Sequence, residues 1–117
     1  LVSTARDLAA FVTSLRQGLL LRPETLVAAW TPPAGIDGLP LPHGLGWFVH
    51  VHNGEAVVWQ FGLDNNASSS LLVSVPSRGL TLVLLANSSG LVKPFPLAEG
   101  DLMSSPFGRL FLEMLVR

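Results

Sequence analysis

The sequence predicts an α+β domain: an antiparallel β meander packed against helices at its N-terminal and C-terminal ends. The apolar spacing is helical as far as Trp30 and changes to a period of two after His43. Strand-like stretches then follow one another across short turns, among them Asn53-Gly54 and Pro76-Ser77-Arg78-Gly79. Last, Ser105-Pro106 opens an apolar-rich helix in the manner of a cap followed by proline in the first turn.

The first helix is expected over about residues 3–18. Thr4, with Asp7 three residues later, forms a capping-box-like start; Leu8, Phe11, Val12 and Leu15 share one face, and Gly18 is placed to end it. A shorter helix is expected over about 23–31, with Pro23 in its first turn and Thr31-Pro32-Pro33 as its stop. "AGIDGLPLPHG" reads as a connector. Strands are expected over about 44–52, 55–62, 68–75 and 79–87. In the first, Leu45, Trp47, Val49 and Val51 would take one face and Gly46, Phe48, His50 and His52 the other. The last, "GLTLVLLAN", is apolar on both faces and suits a central strand. "LVKPFPLAEGD" reads as a second connector, before a helix over about 105–116 with Phe107, Leu110, Phe111, Met114 and Leu115 as its apolar side.

Composition narrows the function. The 117 residues suffice for one domain, and 49% hydrophobic with 13% charged residues describes a folding chain. A net charge of −1 without a basic run offers no surface to nucleic acid or an anionic membrane. The apolar runs Leu19–Leu21 and Leu82–Ala86 are too short for a spanning helix, and no signal segment is visible. Without cysteine there is no disulfide, no thiolate nucleophile and no thiolate zinc site. His50 and His52 have the i, i+2 spacing of some metal sites, yet no carboxylate or third histidine stands close in sequence, and both also read as exposed hairpin residues. No cofactor is implied.

The most pointed local feature is Gln60-Phe61-Gly62, an amide and a glycine where a buried strand hands over to the polar loop Asp64-Asn65-Asn66. It reads either as a strand end with a bulge glycine or as one wall of a cleft where glycine admits a ligand. Ser68–Ser70 offer hydroxyls, but no lysine or histidine is near in sequence to activate them. Trp30, Trp47 and Trp59 read as core fillers, with Trp59 placed to shape a cleft floor beside Gln60.

"LVSTARDLAAF", "GLGWFV" and "VPSRGLTLVLLANSSG", in this order, resemble segments of serine beta-lactamase-like and penicillin-binding-protein-like hydrolases. The resemblance runs over essentially the whole chain and corresponds to the C-terminal portion of that family's catalytic domain, part of a beta-lactamase/transpeptidase-like fold. It implies acyl transfer to a serine in an S-x-x-K motif, a Tyr-x-Asn or Ser-x-Asn motif, and a third motif on a strand, usually Lys-Thr-Gly or His-x-Gly. Gln60, Phe61 and Gly62 stand at that third position, the backbone N–H near Leu63 would help hold an oxyanion, Asp64 lies on the loop lip, and Asn87 resembles a position on the substrate's carboxylate side. Asn87 equally suits a strand cap for the turn "NSSG".

This sequence departs from the pattern. It has no tyrosine; its one lysine, Lys93, has Gly90 rather than serine three residues before it; and Gln60 replaces the usual cation. The expectation is therefore a fragment with no catalytic residue of its own, inactive alone, whose parent acts on a small-molecule acyl substrate. The alternative is a non-catalytic binding or scaffolding domain derived from the fold. The expected partner is the missing N-terminal half of the catalytic domain, or a second copy in a self-associated dimer. The resemblance suggests a bacterial periplasmic or secreted setting.

Overall fold

The computed structural model describes residues 2–117. Helix α1 spans Ala5–Arg16, with the Thr4 hydroxyl accepting from the Asp7 N–H at 3.1 Å. Gly18 lies just beyond it at φ +75°, the left-handed conformation that glycine adopts without steric penalty. Helix α2 spans Pro23–Ala29. Strands β1 (Phe48–His52), β2 (Glu55–Asp64), β3 (Ser68–Val75) and β4 (Leu80–Ala86) follow, and helix α3 (Pro106–Leu115) closes the chain behind its Ser105 cap. The strands form one sheet in the order β1-β2-β3-β4, each neighbour antiparallel. This is the expected α+β meander with helices at its ends. Among the described residues, no helix is long and apolar enough to cross a membrane.

Alternation along the strands sorts the side chains between two layers. Val57 and Trp59 of β2 and Leu71, Val73 and Val75 of β3 form one core with Leu112 and Val116. Phe48 joins it, stacked on Trp59 with ring centroids 4.4 Å apart. Val49 and Val58, which alternation sends to the opposite face, are buried too, as are Val12 and Leu15 of α1 and Leu26 of α2. Helix α1 lies against β4 on that side.

Several expectations are corrected. β1 begins at Phe48 rather than near residue 44. The preceding turn is bound to the end of α2 instead: the Leu45 N–H donates to the Ala29 carbonyl at 2.8 Å, and a Cβ on Gly44 would lie 2.0 Å from that same oxygen. Of the residues expected to share a face, Val49 is buried, whereas Val51 is 71% exposed. β2 runs to Asp64, and its pairing with β3 is unbroken from Val58↔Ser74 to Asp64↔Ser68, which excludes a bulge at Gly62.

The apolar side of α3 is also different from the expected one. Gly108 and Leu112 are buried, whereas Phe107, Leu110, Met114 and Leu115 are exposed. Gly108 allows close packing, since a Cβ there would lie 2.5 Å from the Leu102 side chain. β4, apolar on both faces, is at the end of the sheet order and not in its centre. The stretch read as a connector after β4 supplies Leu91, Val92 and Leu97 to the core.

His50 is not an exposed hairpin residue. Alternation puts it on the face of Phe48, and both ring nitrogens are closed to solvent without a hydrogen-bond partner among the described residues. Burial pushes its pKa below the ordinary histidine value, the neighbouring charge of His52 adds to this, and Asp101 opposes it. The fold therefore holds His50 neutral, while the unfolded chain protonates it near pH ~6.5. The corresponding stability is present above that pH and lost as pH falls below it. Urea midpoints should drop between pH ~7 and ~5, and His50→Phe should flatten that slope. The carboxylate Glu55, held below its ordinary value by hydrogen bonds from Ser77 and Arg78, acts in a lower window. An equal slope in the variant would contradict this account of His50.

Candidate functional site

At the end of the sheet nearest the β2–β3 turn lies a groove of about 640 Å³. It is lined by Gly62, Leu63 and Asp64 of β2, by Ser68–Ser70 of β3, by Leu85 and Asn87 at the end of β4, and by Ser3 and Leu8. The turn has local causes: Asn65 and Asn66 have φ of +42° and +60°, a region asparagine tolerates well, and the Ala67 N–H donates to the Asp64 carbonyl at 2.7 Å. Gly62 keeps the wall free of a side chain where it faces β3, since a Cβ would lie 2.7 Å from the Ser70 hydroxyl.

The structure thus brings Gly62, Leu63, Asp64 and Asn87 together. It does not bring Gln60 and Phe61 to the same groove. Those two line an adjoining, mostly apolar hollow of about 240 Å³ with Phe11 and Trp47. Phe61 stacks on Phe48 with ring centroids 5.9 Å apart.

Both ends of the Gln60 amide are engaged. Its Nε2 donates to the Gly46 carbonyl at 2.9 Å, and its Oε1 accepts from the Phe61 N–H at 3.0 Å. The reason is local. The β1–β2 register stops at Phe48↔Trp59, so beyond Trp59 strand β2 has no β1 residue opposite it. The glutamine side chain takes the place of that missing strand partner and ties in the loop that precedes β1. Trp59 has no part in a cleft floor: it is fully buried on the opposite face of the sheet.

Ser69 is a residue whose role the sequence reading missed. It is buried, its hydroxyl donates to the Ser88 carbonyl at 2.6 Å, and it accepts from the Leu91 N–H at 3.2 Å. It therefore fastens the chain just after Asn87 to β3 at the groove. Its proton is committed to a carbonyl, which makes it a poor nucleophile. The signal was present: Ser69 falls in phase with Leu71, Val73 and Val75, and a hydroxyl in an apolar alternation needs buried partners. Neither lysine nor histidine lines the groove beside Ser68 or Ser70. Among the described residues, no three His, Cys, Asp or Glu side chains gather as metal ligands would.

Ser69→Ala would leave the Ser88 carbonyl and the Leu91 N–H without this partner. It should cost about 2 kcal/mol, measured by urea denaturation, whereas Ser68→Ala should stay within about 0.5 kcal/mol. Equal costs would contradict the role assigned to Ser69.

A family model described as Beta-lactamase matches residues 1–101, which include the groove and its supporting strands. Neither the curated proteins nor the solved structures contain a match to the chain. With the family match covering most of its length, the chain belongs to the beta-lactamase family, the serine beta-lactamase-like group its motifs resemble.

Proposed function

We propose that this chain forms one wall of the acyl-binding cleft of a serine hydrolase that works through an acyl-serine intermediate, and that alone it turns nothing over. The reading is carried by one observation: Gly62, Leu63, Asp64 and Asn87, picked out by the third-motif position and its surroundings, line a single groove. In this reading the substrate backbone passes along Gly62, where no side chain intervenes. The Leu63 N–H is the oxyanion donor, a contribution typically worth ~3–4 kcal/mol in the transition state. Asp64 and Asn87 contact the substrate.

The nucleophile and its base come from polypeptide beyond these 117 residues, since no serine stands three residues before Lys93, the one lysine. The expected partner is that N-terminal half of the catalytic domain, or a second copy. β4 supports such an association, because a strand apolar on both faces ends the sheet beside the exposed side chains of Leu110 and Met114. A second reading, a non-catalytic binding domain derived from the fold, is favoured by the scaffold role of the Gln60 amide, bound to Gly46 and Phe61, at the position where the family carries a cation.

A chromogenic cephalosporin and a short-chain nitrophenyl ester should show no turnover with this chain, and mass spectrometry should show no covalent adduct. Stoichiometric acylation, or turnover abolished by Ser68→Ala, Ser69→Ala or Ser70→Ala, would contradict the proposal. An S-x-x-K motif followed by Tyr-x-Asn upstream in the same reading frame decides for the enzyme over the binding domain.

A further inference from the structure

We infer that the groove discriminates by charge: it takes acyl ligands that are uncharged or carry an ammonium group, and disfavours those with a free carboxylate. This rests on the reading of the groove as an acyl-binding wall. Its volume of about 640 Å³ falls in the range of small-molecule sites. Among the described residues that line it there is no lysine, arginine or histidine, and the single ionisable side chain is Asp64.

A carboxylate leaving water needs a cation or several N–H donors to replace its hydration. Here the side chains offered are the Ser68 and Ser70 hydroxyls, the Asn87 amide and the apolar Leu8, Leu63 and Leu85. The Ser69 proton is already donated to Ser88. Gln60 does not supply a compensating donor in this groove, because its amide lines the neighbouring hollow, where Gly46 and Phe61 hold it. Asp64 cannot easily withdraw its backbone, because the turn that follows it is closed by the Ala67 N–H on its carbonyl. Its carboxylate therefore repels an anion and attracts a cation at the mouth of the groove.

The test is a titration of the isotope-labelled chain with three matched probes, 4-(hydroxymethyl)phenylacetamide, its 4-aminomethyl analogue and its 4-carboxy analogue. Amide shifts at Gly62, Leu63, Asp64 and Asn87 are followed at low salt. The neutral and ammonium probes should saturate these shifts, with the ammonium about fivefold tighter and the carboxylate about fivefold or more weaker than the neutral one. The spread should shrink at about 1 M salt. Asp64→Asn should remove the ammonium advantage, and Asp64→Lys should reverse the order. Equal binding of all three probes at these amides would overturn the charge discrimination and leave the groove as a binding wall. Shifts confined to residues elsewhere, or none with any probe, would overturn the groove reading and this inference with it.

Discussion

The structure depends on the unbroken antiparallel register between β2 and β3. Because side chains alternate along a strand, this register decides in one step what is core and what is site. With Trp59 opposite Val73 and Phe61 opposite Leu71, the large side chains meet Leu112 and Val116 on one face. With Gly62 opposite Ser70 and Asp64 opposite Ser68, small and polar groups meet at the groove end of the other. A slip of one residue would place Trp59 among the serines and bury Gln60 and Asp64. The core and the groove are thus two consequences of one pairing, and neither can be adjusted alone.

The second constraint is the place where β1 stops. Beyond Phe48↔Trp59 the edge of β2 would carry an unpaired amide, and Gln60 supplies the acceptor for it. The same side chain holds the Gly46 carbonyl, while the adjacent Leu45 N–H is bound to the end of α2. One amide therefore joins the sheet to the loop that sets the position of the helical layer. A protonated lysine has no acceptor for the Phe61 N–H, and a histidine could both accept and donate only as one neutral tautomer, whereas glutamine has one acceptor and two donors for the task.

Much of this was legible in the sequence. The change of apolar period located the meander, Asn53-Gly54 its first turn, and Thr4 and Ser105 the helix caps, because these are local signals with local causes. Gly62, Leu63, Asp64 and Asn87, named from the sequence, line one groove. What escaped was non-local. The late start of β1 is set by Ala29, fifteen residues before Gly44 in sequence but touching it in space. The buried side of α3 is set by close packing of Gly108 on Leu102, which outweighs the larger stripe of Phe107, Leu110 and Met114. Leu91, Val92 and Leu97 lie between prolines and glycines that read as loop, yet the Ser69 hydroxyl turns their segment back onto the sheet.

The central claim is that the end of β2 is divided: Gln60 belongs to the scaffold, and Gly62 to Asp64 belong to the groove. Amide hydrogen exchange on β2 tests this most directly, comparing the native chain with Gln60→Leu. The account predicts that the Phe61 amide is protected in the native chain and exchanges about tenfold faster or more in the variant, while Val57 and Trp59 keep their protection. An unchanged rate at Phe61, with the changes falling instead on the groove amides of Leu63 and Asp64, would show that Gln60 serves the groove and would contradict the division.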